Sequence, residues 1–231
     1  MNEQEQNMTT SVYDLLRCPV CGLDGETDAD KKRFYCHGKK QHSFDFAKSG
    51  YLNLCLSAKA GDLKEAVRAR SAFLEEGYYL PLSNEINSIL SEIAAESVLD
   101  AGCGEGYYTK YLHSKLSEIC NISTCGVDIS KYAVIEACKG IKKENLTNIN
   151  YAIANINRLP ILDEMCDILL NCFAPIDDRE FCDIAKKHKI LVVPGSSFAC
   201  PGYVRMAYCV SYEMIQNSRK VFELYQSFLK V

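Results

Sequence analysis

The stretch Val98-Leu-Asp-Ala-Gly-Cys-Gly-Glu-Gly-Tyr-Tyr108 does most to limit the folds open to this chain. An apolar strand that ends in an acid, Asp100, and then opens into glycines at 102, 104 and 106 is a sharp strand-to-helix turn with room above it for a ligand. The spacing is G-x-G-x-G rather than G-x-G-x-x-G. That favours S-adenosylmethionine over a dinucleotide, because S-adenosylmethionine has no pyrophosphate to lay on a helix N-terminus. It needs instead close backbone contact with its amino-acid end, here at Gly102 and Gly104, and an acid for its ribose hydroxyls. Asp128, at the end of the next apolar run Cys125-Gly-Val-Asp128, fits the ribose role.

Around this turn the apolar pattern alternates between strand and helix periods. The sequence predicts strands at 97–101, 124–128, 150–154 and 167–173, with helices at 107–116 and 132–139 between them. That rhythm is an α/β fold, a Rossmann-like doubly wound parallel sheet, which binds ligands beyond the carboxyl ends of its strands. Gly102, Asp128, Asn155 and Ala174-Pro175 all fall at those ends. Before the sheet, residues 62–93 have helical periodicity: Leu63, Ala66, Val67, Phe73 and Leu74 recur near 3.6, Gly77 stops the run, and a second helix is expected from Leu82 to Ile93.

Arg17-Cys-Pro-Val-Cys-Gly22 places two thiolates at C-x-x-C spacing, with Gly22 free to take positive φ, and one tight turn of this kind holds half of a metal site. The other half is expected in Tyr35-Cys-His-Gly-Lys-Lys-Gln-His42. Cys36 is the natural third ligand, and His42 or His37 the fourth. His42 is preferred, because adjacent Cys36 and His37 point apart on an extended strand while a turn through Gly38 brings His42 back. A set of three sulfurs and one nitrogen is a closed structural site that suits Zn2+.

The chain has 231 residues, thirteen cysteines and a formal net charge of −4. Length, an odd cysteine count and the lack of an apolar leader argue for a reducing compartment, the cytoplasm, rather than a disulfide framework. No apolar run reaches the roughly 18 residues of a membrane span. The net charge alone argues against a nucleic-acid binder, yet residues 30–70 hold ten Lys/Arg against four Asp/Glu, a basic segment suited to a polyanion.

Several motifs together resemble the family of 23S rRNA guanine-N1 methyltransferases over residues 14–175. They are the Cys-Pro-x-Cys knuckle, the run from His42 to Leu54, Arg70-Ser-Ala-Phe-Leu-Glu-Glu-Gly-Tyr-Tyr79, the glycine loop from Asp100 to Thr109, Asp128-Ile-Ser-Lys131, Leu159-Pro160 and Phe173-Ala-Pro175. The resemblance implies zinc on Cys18, Cys21, Cys36 and His42, and S-adenosylmethionine contacts from Tyr79, Glu105 and Gly106, with Asp128 on the ribose and Asn155 near the adenine. It further implies methyl transfer to N1 of a guanine in a 23S rRNA hairpin gripped by the zinc module and the basic segment; a homodimer is left open.

From 176 onward that pattern is lost, and residues 177–198 and 202–209 look like the end of a class I aminotransferase, with Arg205 at the position of its carboxylate-binding arginine. Local pattern alone predicts a helix at 179–187, a fifth parallel strand at 190–194, a further strand at 203–210 and a covering helix at 213–228. The expected organisation is a zinc-binding RNA-recognition module at 1–56, a helical linker at 57–94 and the methyltransferase domain at 95–231, atypical from 176. A pyridoxal-phosphate enzyme is excluded by size, since no large domain exists to present a Schiff-base lysine. The alternative function is a catalytically impaired zinc-dependent RNA- and S-adenosylmethionine-binding protein. No residue is assigned as the catalytic base; Asp163 and Asp167 are candidates by kind, and Asp167 reads better as a structural acid.

Overall fold

The computed structural model describes residues 15–28, 30, 32–55, 61–93, 95–163 and 166–175, together with two short strands at 192–194 and 204–206. Its centre is a five-stranded sheet, parallel throughout. In chain order the elements are β1 (Gly25–Thr27), β2 (Arg33–Cys36), β3 (Ser43–Asp45), β4 (Leu52–Asn53), α1 (Lys64–Glu75), α2 (Leu80–Ser91), β5 (Ser97–Ala101), α3 (Tyr107–Leu116), β6 (Ser123–Asp128), α4 (Lys131–Glu144), β7 (Ile149–Ile153) and β8 (Ile168–Leu170). The strands lie in the order β4-β7-β6-β5-β8. The order therefore reverses direction between β5 and β8, and a crevice opens at their carboxyl ends.

Period-two alternation sorts the strand residues between two cores. Val98 of β5 with Ile168 and Leu170 of β8 packs against Ile86 and Leu90 of α2 and Leu112 and Leu116 of α3. Leu99, Ala101, Cys125, Val127, Ala152 and Leu169 point to the other face. There they meet Leu15, Leu16 and Phe34 from the N-terminal module and Leu159 and Ile161 from the segment after β7. Helices thus cover one face, and the small module lies on the other.

The N-terminal module is a three-stranded antiparallel sheet, β1-β2-β3. It is sewn to the large sheet by backbone hydrogen bonds from Arg17 N–H to the Pro160 carbonyl (3.0 Å) and Leu162 N–H to the Leu15 carbonyl (2.8 Å). It is also joined by β4, which pairs in parallel with β7 through Leu52 and Ala152. This strand was not anticipated, since two residues carry no periodicity to read.

Several sequence expectations change in the structure. The strand expected at 167–173 stops at Leu170, because Asn171 turns its amide back onto the Ala101 carbonyl (2.7 Å) and Phe173 adopts φ +58°. The helix expected at 132–139 runs through Gly140 to Glu144 and is closed by Asn145 in the left-handed region, whose N–H reaches the Ile141 carbonyl. The segment expected as a fifth parallel strand is instead Val192–Pro194 (β9), which pairs antiparallel with Val204–Met206 (β10) as a separate two-stranded sheet. β4 supplies the fifth strand of the main sheet. The helices expected at 179–187 and 213–228 lie outside the described residues. No helix among the described residues is long and apolar enough to cross a membrane, and none of the described cysteines is in a disulfide.

Candidate functional site

A cavity of about 640 Å³ opens at the reversal point, within the size range of small-ligand sites. Its wall includes Tyr79, Asp100, Gly102, Gly104, Glu105, Asp128 and Asn155. Of the eight residues expected to contact a cofactor, Gly106 alone is not on this wall. It stands at the start of α3 with φ +75°, where a Cβ would come within 2.3 Å of the Tyr151 hydroxyl, so its role in the fold is close packing. Gly102 is hemmed in by the turn after β8: its Cβ would lie 2.2 Å from that of Ala174.

The acids on the wall are held in different ways. Asp128 accepts the Gly104 N–H (2.9 Å) on one oxygen and the Ser130 N–H (2.7 Å) on the other, fixing the glycine loop against the end of β6. Burial raises its pKa, and those two N–H groups oppose the rise. Asp100 is 1% exposed; one oxygen accepts the Thr109 hydroxyl at 2.5 Å and the other is buried without a partner. Burial, opposed by Thr109 and reinforced by the charge on Asp128, pushes the Asp100 carboxyl up to about 7. A buried carboxylate oxygen facing a cavity suits a ligand that brings hydrogen-bond donors.

The raised Asp100 pKa has a consequence for stability. An acid with a folded pKa above its unfolded one contributes stability that is complete below the ordinary carboxyl range and is lost as pH rises through about 7. Melting of the ligand-free protein is therefore expected to show a smaller decline between pH 5 and 8 in Asp100→Asn than in the native chain. An unchanged slope would assign the decline to other groups.

Glu105 is gripped from outside the loop. Arg70 of α1 donates to it through Nε (2.7 and 3.0 Å) and pairs with it through Nη2 as an ion pair (2.7 Å), and it donates through Nη1 to Asp62 (2.6 Å). Sequence reasoning quoted Arg70 within a family motif but gave it no part in the site. The mouth is walled by aromatic rings: Phe173 meets Tyr79 edge-on at 5.6 Å and Tyr108 at 6.0 Å, and Phe73 meets Tyr79 at 5.9 Å. Their signal in the sequence was only the general one that aromatics flank the glycine loop and the Phe173-Ala-Pro175 turn.

Neither candidate base reaches the cavity. Asp163 pairs with Arg17 at 3.0 Å. Asp167 accepts from the N–H groups of Glu96 and Ser97 (both 3.1 Å) and from the Ser97 hydroxyl (2.8 Å), pinning β8 to the start of β5 as a structural acid.

In the N-terminal module the ligating atoms of Cys18, Cys21, Cys36 and His42 all lie within 4.8 Å of one another. A tetrahedral ion with bonds of about 2.0–2.3 Å needs ligand atoms roughly 3.4–3.8 Å apart along each edge. Three of the six edges are 3.7 Å for Cys18–His42, 3.6 Å for Cys21–Cys36 and 3.5 Å for Cys36–His42, and the others are within 4.8 Å, so the donor set fits zinc. Burial raises the Cys36 thiol, yet the N–H groups of His42 and Gly38 together with hydrogen bonds from the His42 and Cys21 side chains bring it down to about 6, towards the thiolate that a metal requires. His37 is turned away, its ring 3.5 Å from Asp24 and 3.6 Å from Glu26.

Comparison with known proteins agrees with both halves. Residues 93–230 match the model of a methyltransferase domain, and residues 16–56 match the zinc-ribbon model described as RlmA, N-terminal. A Bacillus subtilis protein bearing the name putative 23S rRNA (guanine-N1)-methyltransferase is 30% identical over 201 residues, covering 80% of this chain and 66% of its own length. The 23S rRNA (guanine(748)-N1)-methyltransferase of Streptomyces fradiae is 29% identical over 193 residues, covering 80% and 65%. A malonyl-[acyl-carrier protein] O-methyltransferase of Hamiltonella defensa is 33% identical over a shorter stretch of 95 residues, 41% of this chain and 31% of that one. The chain thus spans a little under two thirds of the length of the two rRNA-modifying relatives.

Proposed function

Because the chain belongs to the methyltransferase-domain family, we propose that it moves a methyl group from S-adenosylmethionine to N1 of a guanine in 23S rRNA, with a large-subunit RNA hairpin as partner and the cytoplasm as its place of work. The observation that carries this reading is the pairing of a zinc-ribbon match with a methyltransferase-domain match in one chain, beside relatives whose names give 23S rRNA (guanine-N1) methylation and which match 80% of it. A stretch of 95 residues is also similar to an O-methyltransferase, so that stretch alone does not fix the acceptor.

The cofactor, when bound, supplies a methyl group already activated by the positive charge on sulfur, so the protein's task is mainly positioning. Asp128 holds the ribose hydroxyls, Asn155 lies towards the adenine, and Asp100, Gly102, Gly104, Glu105 and Tyr79 border the amino-acid end. Gly106 acts through the start of α3 and not by contact. Cys18, Cys21, Cys36 and His42 hold zinc and thereby shape the RNA-facing module. A guanine displaced from its stack needs an aromatic ring to lie against, and Tyr79, Tyr108 and Phe173 line the cavity. No side chain is assigned to take the proton from N1. In this reading residues 1–56 recognise RNA, 57–94 link, and 95–231 transfer the methyl group. The aminotransferase-like character of 176–231 weighs little against a methyltransferase match that runs on to residue 230.

Labelled S-adenosylmethionine incubated with the zinc-loaded chain and unmodified large-subunit RNA tests the activity. Label in RNA, with reverse transcription arrested at one guanine, is the expected result, since an N1-methyl blocks base pairing. A catalytically impaired binder would retain RNA and cofactor and leave the RNA unlabelled. Asp128→Ala is expected to weaken S-adenosylmethionine binding by about 1–3 kcal/mol in calorimetry. Native affinity in that variant would remove Asp128 from the ribose.

A further inference from the structure

We infer that Arg70 is the subsite for the carboxylate of the cofactor's amino-acid end, an inference that rests on the cavity being the S-adenosylmethionine site. The cavity wall carries four carboxyl groups, Asp62, Asp100, Glu105 and Asp128, and among its described residues a single cation, Arg70. Such a wall suits the sulfonium and ammonium charges of the ligand and repels its carboxylate. Like charges held close together in a partly desolvated space oppose each other more strongly than they do in water. A carboxylate enters that space favourably only beside the one positive group in it.

Arg70 is built to receive it. A guanidinium has five N–H donors in a planar fork. Glu105 takes the Nε donor and stands 2.7 Å from Nη2 as an ion pair, and Asp62 takes one donor on Nη1, which leaves N–H groups on both terminal nitrogens for a ligand. The Glu105 side chain is only 7% exposed and that of Arg70 is 40% exposed, so the acid anchors the group while its outer edge stays open. The opening faces the glycine loop: Nη2 lies 3.5 Å from where a Cβ on Gly104 would stand, and glycine keeps the ground between them clear. Two anchoring acids fix the plane of the guanidinium before any ligand arrives, which lowers the ordering entropy lost on binding.

Comparing two ligands isolates this role. S-adenosylhomocysteine carries the amino-acid end; 5′-methylthioadenosine keeps the adenosine and sulfur and lacks it. Calorimetry on the zinc-loaded full chain and on Arg70→Met is expected to show about a 10- to 100-fold loss for S-adenosylhomocysteine, with 5′-methylthioadenosine changed by less than about twofold. Arg70→Lys keeps the charge and part of the brace, and is expected to fall between. If both ligands weaken equally in Arg70→Lys and Arg70→Met, Arg70 only braces the loop and the inference is wrong; unchanged S-adenosylhomocysteine affinity overturns it as well. If the native chain binds neither ligand, the cofactor reading itself fails, and that outcome is distinct from either of the others.

Discussion

Cys36→Ser is expected to strip the protein of its metal and of much of its stability. Structural zinc in small modules binds with an apparent free energy of about 10–16 kcal/mol at neutral pH, while whole domains are stable by about 5–15 kcal/mol. The module cannot absorb such a loss locally. Phe34, two residues from Cys36 on β2, is fully buried in the same core as Leu99, Val127 and Ala152 of the large sheet. Unravelling the metal cluster therefore uncovers one face of that sheet, and a destabilisation above about 4 kcal/mol is expected. Metal analysis should give about one zinc per native chain and none in Cys36→Ser or His42→Ala, whereas His37→Ala should keep its zinc because His37 faces Asp24 and Glu26. One zinc per chain retained by Cys36→Ser, with an unchanged melting temperature, would show that the four residues do not form a ligand set.

Gly106→Ala is expected to be nearly as damaging, by a different route. The residue has φ +75°, a region that costs a side-chain-bearing residue roughly 1–2 kcal/mol. Its new methyl would also stand 2.3 Å from the Tyr151 hydroxyl oxygen, 2.8 Å from Cζ of that ring and 2.9 Å from Cβ of Ala137. Tyr151 is 1% exposed and Ala137 sits within α4, so neither can retreat without moving the core. Overpacking adds about 1–3 kcal/mol, and the total expected loss is about 2–5 kcal/mol. Adding Tyr151→Phe removes the nearest atom and should recover part of it. Urea unfolding of the single and double variants measures both effects; a Gly106→Ala protein as stable as the native chain would mean that the loop relaxes freely.

How legible the sequence was depended on whether a feature was local. The strand at 97–101 and the helix at 107–116 were readable to the residue, because a continuous apolar run and the glycine turn mark their own ends. The C-x-x-C turn and Cys36 were readable too, and of the two histidines left open for the fourth place it is His42 whose ring lies with the three sulfurs. What could not be read depends on distant partners. The three glycines of the loop look equivalent in sequence, and only the position of Tyr151 makes the third a packing residue. Glu105 was expected on the cavity and lines it, but nothing nearby in the sequence announced Arg70, which reaches it from 35 residues earlier. The apolar run at 190–194 signalled a strand but not its neighbour, and it paired with 204–206 instead of joining the main sheet.

The strand at Leu52–Asn53 also sets a schedule. Its partners, Ala152 and Ile153, are made about a hundred residues later, which at cellular synthesis rates of about 5–20 residues per second is a wait of roughly 5–20 s. All four residues of the metal cluster lie before that point, so the ribbon can close around its ion while Leu15, Leu16 and Phe34 still have no sheet to lie against. Each nascent chain thus carries for several seconds a closed zinc knot with a bare apolar face. In that interval, before Ala152 leaves the ribosome, the chain is most open to aggregation and to capture by a chaperone.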